Sequence, residues 1–151
     1  MNVAEICKRN LVTVRPYEEL AVAAQLMREK HVGYLIVVEP ALEDGTYRPI
    51  GVLTDRDLVV SVLARGTNPN TLRIEDVMTR MPVVVRADQS TGRAVEEMRR
   101  IGVRRLPVVG DHGELFGVVS LDDVVDALSM QLQDLAGSIR SEQAIEHVLR
   151  P

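Results

Sequence analysis

Gly51-Val52-Leu53-Thr54-Asp55-Arg56-Asp57 returns 66 residues later as Gly117-Val118-Val119-Ser120-Leu121-Asp122-Asp123. In both copies a glycine and two aliphatic residues, a pattern typical of a buried strand, precede a hydroxyl residue and an aspartate. A hydroxyl residue followed by an acid three positions later is also an ordinary start of a helix. The string therefore predicts, twice in the chain, a strand that runs directly into a helix.

The duplication extends well upstream of these two strings. When residues 11–39 are laid over residues 82–110 without gaps, ten of the 29 positions are identical, and most of these are apolar. A five-residue insertion in the first copy falls at 39–49, where proline, glycine and acids predict a hairpin loop. The second copy spans the same interval with a compact turn at 110–114. The chain is therefore predicted to be an internal repeat.

Each copy has the periodicity of the same five elements, β-α-β-β-α. The predicted bounds are 12–14, 18–30, 34–38, 50–53 and a helix from Asp55 in the first copy, and 83–85, 90–101, 106–109, 115–119 and a helix from Leu121 in the second. Asp88 or Ser90 is expected to cap the helix at 90–101. One repeat alone buries little surface, so we expect the two to form one α+β unit, related by a pseudo-twofold axis with two equivalent clefts between them.

The predicted organisation has four parts, with boundaries set by turn residues and apolar periodicity. They are repeat 1 at 1–66, a linker at 67–73, repeat 2 at 74–129 and a C-terminal helical extension at 130–151. Within the extension, Gly137 and Ser138 predict a break before a last helix at 141–149. Its apolar residues, such as Leu132 and Leu135, are expected to pack either on the body of the protein or on a second subunit.

Composition excludes several classes of function. A net charge of −4 gives no general attraction to nucleic acid or to anionic lipid. The apolar runs are strand-sized, no secretory signal precedes them, and a cytoplasmic location is therefore expected. A single cysteine and three dispersed histidines form no metal-ligand pattern and no catalytic arrangement, so we expect neither a metal site nor an enzyme.

The polar residues of the two strings are the strongest candidates for a binding site. If each helix begins directly after its strand, Thr54 and Ser120 occupy N-cap positions, and the first-turn amides point into the same space. A hydroxyl and free amides can together hold a phosphate group. A carboxylate in the first turn, Asp57 or Asp123, has two oxygens that can accept both hydroxyls of a ribose. The same residues also form an ordinary helix cap, and both interpretations stay open.

The two strings differ in charge. Arg56 in the first string corresponds to Asp122 in the second, so a phosphate near the second string meets an additional carboxylate. Arg104 and Arg105 on the adjacent strand are expected to compensate, because guanidinium groups bind phosphate oxygens through paired hydrogen bonds. Their alternative role is in a surface salt bridge. We therefore expect one preferred site and a second that is weak or depends on these arginines.

Together these features resemble a pair of cystathionine-β-synthase (CBS) domains, also called a Bateman module, and in particular small bacterial proteins made of two such domains. The features that carry the resemblance are the two strings, the helices with Met27 and Met98, the strand at 105–109, and the short lead-ins at 4–7 and 75–78. The resemblance implies an adenine-nucleotide sensor that regulates another protein and is not an enzyme.

The resemblance also implies specific ligands and residues. AMP, ADP or ATP is the expected ligand, S-adenosylmethionine is less expected, and no cofactor is required. The residues implied in ribose and phosphate binding are Thr54, Asp57, Ser120 and Asp123. Those implied in an adenine slot or near the phosphate are Thr13, Val14, Tyr34, Leu35, Arg56, Val84, Val85, Arg104, Arg105 and Leu106.

Two functions follow for the chain as a whole. The resemblance implies a homodimer in which two pairs form a flat disc, with an effector protein acting in trans. The alternative is a ligand-free dimerisation or scaffolding protein, in which the two strings serve only as helix caps.

Overall fold

The structure, a computed structural model, describes residues 1–41 and 45–150. Residues 42–44 of the predicted hairpin loop and residue 151 of the predicted extension lie outside that part of the chain. The first half contains α1 (Val3–Ile6), β1 (Thr13–Val14), α2 (Leu20–Lys30), β2 (Tyr34–Pro40), β3 (Tyr47–Thr54) and α3 (Asp55–Asp57), which continues as a π-helical stretch (Leu58–Leu63). The second half contains β4 (Thr79–Arg80), β5 (Val85–Arg86), α4 (Thr91–Ile101), β6 (Arg105–Val109), β7 (Leu115–Ser120) and α5 (Leu121–Leu149).

The predicted α+β fold class is confirmed, and the locally encoded boundaries agree best. The helices after the two strings begin at Asp55 and Leu121, as predicted. Ser90, not Asp88, caps α4, because its Oγ accepts a hydrogen bond from the amide of Arg93 at 3.2 Å. β1 and β5 are shorter than predicted, since only Thr13–Val14 and Val85–Arg86 pair with a neighbouring strand. β1 ends at Val14 as predicted, whereas β5 ends one residue later than predicted.

The two repeats build equivalent sheets. In the first, β1 is parallel to β2, and β2 is antiparallel to β3, which also pairs with β4. In the second, β5 is parallel to β6, and β6 is antiparallel to β7. The register shifts between Val37 and Val38 in one sheet and between Val108 and Val109 in the other, at matching positions of the repeat. The two repeats therefore share the same strand pairing, including the position of this register shift.

The lead-in of each repeat packs on the other repeat. Val3 is fully buried in the second hydrophobic core, and Lys8 pairs with Val118 of β7. Reciprocally, Ile74 and Met78 are buried in the first core, and β4 pairs with β3. This exchange is symmetric, as a pseudo-twofold axis between the repeats requires. Each hydrophobic core therefore contains residues from both repeats.

The glycine of each string permits this exchange. A Cβ atom on Gly51 would lie 2.6 Å from the sulfur of Met78 and 3.0 Å from the carbonyl oxygen of Thr79. A Cβ atom on Gly117 would lie 2.9 Å from both the Cys7 sulfur and the Lys8 carbonyl oxygen. Both glycines thus stand where the exchanged lead-in approaches the sheet too closely for any side chain.

The C-terminal extension differs from the prediction. The predicted break at Gly137 and Ser138 is wrong, because α5 is continuous from Leu121 to Leu149. Gly137 is not among the glycines with positive φ, as a helix-ending glycine would be, and the Ser138 hydroxyl donates to the carbonyl of Asp134 at 3.1 Å. A glycine inside a helix weakens it by about 1 kcal/mol but does not end it without a capping conformation.

The apolar residues of the extension do not pack on the body of the protein. Leu132, Leu135 and Ile139 are 57–67% exposed. Val124 is the one buried residue of α5, which the structure describes over its whole length. Among the described residues, no helix has both the length and the apolar character needed to cross a membrane.

Candidate functional site

Two clefts lie where the repeats meet, and the larger contains the first string. This first cleft has a volume of about 440 Å³. Repeat 1 contributes Gly33, Tyr34, Val52, Thr54, Asp55, Arg56 and Asp57 to its wall. The second half of the chain contributes Thr79, Pro82, Val83 and residues 101–107. Any molecule that fills the first cleft therefore contacts both repeats.

The second cleft is the symmetry-related copy of the first, but it is smaller. Its volume is about 240 Å³, and its walls are Lys8, Asn10, Leu11, Val12, His31, Val32, Gly33, Tyr34, Ile36, Arg105 and Val118. Val12 and Val83 are equivalent positions of the repeat, as are Tyr34 and Arg105. The Arg105 guanidinium carbon lies 5.9 Å from the centroid of the Tyr34 ring, so the pseudo-twofold axis passes between these two residues.

Both strings form a reciprocal helix cap. The Thr54 hydroxyl accepts from the Asp57 amide at 3.2 Å, and the Asp57 carboxylate accepts from the Thr54 amide at 2.8 Å. Ser120 and Asp123 repeat both hydrogen bonds, at 3.1 and 2.8 Å. The Ser120 hydroxyl also donates to the Asp123 carboxylate at 2.6 Å. One carboxylate oxygen of each aspartate, Oδ2, is thus engaged in the cap.

The first-turn amides are not free to hold a phosphate, contrary to the expectation from sequence. The Asp55 amide donates to the carbonyl of Gly33 at 3.1 Å, and the Arg56 amide donates to the Asp55 carboxylate at 2.8 Å. The Asp57 amide is bonded to the cap hydroxyl. Gly33, directly before β2, satisfies one of these donors, and side chains of the string itself satisfy the other two. A phosphate in this cleft would therefore be held by side chains.

The two aspartates differ in their second oxygen. Oδ1 of Asp123 lies 3.2 Å from Nζ of Lys8, although the Asp123 side chain is only 9% exposed. Burial opposes ionisation of Asp123, but hydrogen bonds from Ser120 and the charge of Lys8 together hold its pKa below the ordinary value. Thr79 is the equivalent of Lys8 at the first cleft, and it cannot form an ion pair. In the part of the chain that the structure describes, the Asp57 carboxylate of the first cleft therefore has no ion pair equivalent to that of Asp123 with Lys8.

The cations also favour the first cleft. Arg56, Arg104 and Arg105 all line it, whereas only Arg105 of these three lines the second. Arg104 lies 3.1 Å from the carboxylate of Asp122, the extra acid of the second string, and both side chains are well exposed. Such an exposed pair contributes little stability, so Arg104 is available to a ligand in the first cleft at small cost.

Comparison with known proteins identifies the family. A family model for the CBS domain matches residues 3–64 and again residues 74–130. The chain belongs to the CBS domain family. In sequence, the lead-in at residue 3 is thus part of the first CBS repeat, although it packs on the second.

Similar proteins include both sequence relatives and solved structures. The chain is 35% identical over 125 residues to uncharacterized protein MK0525 of Methanopyrus kandleri, an alignment that spans 83% of this chain and 61% of that protein. A hexameric CBS-CP12 protein from bloom-forming cyanobacteria has a TM-score of 0.71 and 29% identity, covering 98% of this chain and 87% of the other. CBS domain protein PAE2072 from Pyrobaculum aerophilum, solved in complex with AMP, has a TM-score of 0.70 and 25% identity, covering 82% of this chain and 89% of the other.

Several residues expected in an adenine slot lie elsewhere in this CBS pair. Val14 and Leu35 are buried in the first core, and Val85 is buried in the second. Thr13 and Val84 are exposed and line neither cleft. Thr13 and Val14, like Val84 and Val85, alternate between solvent and core, whereas Leu35 lies in a run of four buried residues of β2. Leu106 borders the first cleft while its side chain is buried in the second core.

Residues one or two positions earlier, just before β1 and β5, line the clefts instead. Pro82 and Val83 line the first cleft, and Leu11 and Val12 line the second. All four are half-buried. The identity of Val12 with Val83 was visible in the repeat alignment, but nothing in the sequence showed that pairing begins only after them. Residues 101–103, at the end of α4, were also missed.

Tyr34 was expected at the site and lines both clefts. Burial raises the pKa of its phenol, against a smaller opposing effect of Arg105, so the hydroxyl stays protonated at neutral pH.

The Ser120 and Asp123 pair does not line the second cleft directly, but Lys8, which does line it, forms an ion pair with Asp123. Among the described residues, no group of three or more histidine, cysteine, aspartate or glutamate side chains could hold a metal ion.

Proposed function

We propose that the protein is a regulatory CBS pair that binds an adenine nucleotide in its first cleft and has no catalytic role. AMP, ADP or ATP is the proposed ligand, and S-adenosylmethionine is a weaker candidate. The observation that carries this proposal is that the first cleft combines the Thr54 and Asp57 cap of one repeat with residues 101–107 of the other. Its volume of about 440 Å³ lies within the range of small-molecule sites.

The chemistry of the first cleft supports a nucleotide. Asp57 retains one carboxylate oxygen beyond the cap, which can accept a ribose hydroxyl. Arg56, Arg104 and Arg105 supply forked donors for phosphate oxygens. Pro82 and Val83 supply apolar surface for a base. The AMP complex of the similar Pyrobaculum protein supports a ligand of this class.

Binding in this position would couple ligand to conformation. Because the two walls belong to different repeats, a ligand that contacts both favours the arrangement in which they are close. The shift is limited to the difference in affinity between the two arrangements. We propose that an effector protein in trans, or a homodimer of this chain, responds to that arrangement. The hexameric assembly of the similar cyanobacterial protein supports a role for association.

The second cleft is proposed to be the weaker site. A ribose that approaches Asp123 must displace Lys8 from the carboxylate, whereas Asp57 has no equivalent cation at the position of Thr79. The smaller volume, about 240 Å³, acts in the same direction. The sequence predicted the same preference from Arg56 and Asp122, and the Lys8 pair adds a separate reason for it.

Titration calorimetry of the full chain with AMP, ADP, ATP, S-adenosylmethionine and adenosine tests the proposal. We expect at least one adenine nucleotide to bind with a stoichiometry near one per chain and to raise the melting temperature. Adenosine is the control that separates base and ribose binding from phosphate binding. If no ligand binds or raises the melting temperature, the ligand-free scaffolding function replaces the sensor. Turnover of a bound nucleotide would contradict the absence of catalysis.

The scaffolding function remains the second candidate because of one observation. The apolar residues of α5 beyond Leu128 are exposed and available for association. Association and nucleotide binding use different surfaces of the molecule, so one does not exclude the other.

A further inference from the structure

The exposed face of α5 carries a continuous apolar seam. Its members, hereafter the α5 seam, are Val125, Leu128, Leu132, Leu135 and Ile139. They are spaced alternately three and four residues apart, the pattern of positions a and d in a coiled coil. Each is 47–67% exposed, and from Leu128 to Arg150 every residue except Gly137 is exposed. The seam therefore lies on a helix that leaves the body of the protein.

The residues that flank the α5 seam carry no charge. Positions e and g of the same heptads are occupied by Ser129, Gln131, Ala136 and Ser138. In coiled coils, charges at these positions select the partner, and at these four positions no charge repels a second identical helix. The seam ends at Glu142, which is the next position in its spacing. The surface is thus self-complementary over about four helical turns.

We propose that the α5 seam pairs with the α5 seam of a second copy of this chain, in an antiparallel two-helix coiled coil. The centre lies between Leu132 and Leu135, so that Leu132 of one copy packs on Leu135 of the other. Leu128 then packs on Ile139. This interface holds whether or not the clefts bind nucleotide.

Charge complementarity selects the antiparallel orientation. In that orientation Asp126 of one copy lies level with Arg140 of the other, on the same side of the pair, and this attractive relation occurs twice, whereas Asp134 lies level with its own copy only once. In a parallel pair Glu142 would face Glu142 of the other copy inside the seam. Like charges at facing positions oppose association. The antiparallel pair places Glu142 beside Val125, which the aliphatic part of the glutamate can cover.

The area agrees with a stable dimer. Ten seam side chains, about 60% exposed, would bury roughly 600 Å² of apolar surface, taking about 100 Å² for complete burial of an aliphatic side chain. With the usual polar share of an interface, the total is about 1,000 Å², the lower bound for a specific interface. Packing on the own body of the chain is excluded by the exposure of these residues.

Light scattering after size-exclusion chromatography of the full chain tests the interface. Leu135→Glu places a charge in the middle of the seam, and we expect it to halve the mass of the wild-type assembly. Val148→Glu is the matched control, because Val148 is 77% exposed on the same helix but lies off the seam. Both variants should retain wild-type circular dichroism. A monomeric wild type, or an unchanged mass for Leu135→Glu, would overturn the proposal.

A distance measurement tests the orientation. A spin label at Glu146→Cys, in a Cys7→Ser background, should report about 40 Å between copies in the antiparallel pair, from a rise of about 1.5 Å per residue. A parallel pair would bring the two labels within about 20 Å, and this result would reject the antiparallel arrangement.

Discussion

Replacing Asp57 by asparagine should weaken nucleotide binding far more than the same replacement at Asp123. The two residues form the same reciprocal cap, with carboxylate-to-amide distances of 2.8 Å in both. They differ in the remaining oxygen, because Asp57 lines the first cleft with its Oδ1 outside the cap, whereas Oδ1 of Asp123 is paired with Lys8. Asp123→Asn is therefore a matched control: it weakens an equal cap but, under the proposed function, removes no contact to the ligand in the first cleft.

The magnitudes separate binding from stability. A hydrogen bond to a charged group contributes about 1.5–3 kcal/mol. Loss of the Asp57 charge should therefore raise the Kd of the preferred nucleotide by roughly 10- to 150-fold. Weakening of either cap should lower the free energy of unfolding by about 0.5–2 kcal/mol. Asp123→Asn also loses the pair with Lys8, so it should be the less stable variant and the better binder.

The assay is calorimetric titration at a temperature well below both melting points, with urea unfolding of each variant in parallel. If the caps were purely structural, binding would fall in the order of stability, and Asp123→Asn would bind more weakly. Equal loss of binding in the two variants would mean that both clefts are occupied. Unchanged binding by Asp57→Asn would refute the assignment of the ribose to this carboxylate.

Three further predictions concern the rest of the molecule. The pKa of Asp123 is lower in the folded chain than in the unfolded one, so its ionised form stabilises the fold above about pH 4, and this contribution is lost as pH falls; the difference in unfolding free energy between wild type and Asp123→Asn should therefore shrink between pH 6 and pH 3. Gly117→Ala should cost about 1–3 kcal/mol and speed amide exchange in residues 1–8, because its Cβ would lie 2.9 Å from the Lys8 carbonyl, whereas Gly92→Ala, with no atom closer than 3.8 Å, should show no such effect. Gly137→Ala should stabilise the extension by about 1 kcal/mol, so the variant should keep more of its helical signal at 222 nm than the wild type does on warming. If the two lose the signal equally, the helix is interrupted at Gly137.

Features encoded by neighbouring residues could be predicted from the sequence. The hydroxyl and acid of each string determined where the following helix begins, and Ser90 could be recognised as a cap because its partner is three residues away. The repeat could be aligned because its core positions are aliphatic in both copies. The family resemblance rested on the same local strings.

Features that depend on distant residues could not be predicted. Nothing in the sequence of residues 1–8 indicates that they pack on the second repeat, so the ion pair of Lys8 with Asp123 could not be predicted. The wall residues of the clefts were misplaced by one or two positions, because strand pairing begins later than the apolar pattern does. Gly137 was given too much weight, since the surrounding helix continues through a single unfavourable residue.

The exchange of lead-ins between the repeats has a consequence for how the chain reaches its fold. The first core is incomplete until Ile74 and Met78 have been synthesised, and Val3 has no partner until residues of the second repeat follow. A fragment cut at residue 66 would therefore be left with an unfilled gap in its interior. Each half supplies residues that complete the core of the other, so we expect the two repeats to fold cooperatively, after the contacts within each repeat have formed. A single repeat on its own would lack the residues that complete its hydrophobic core.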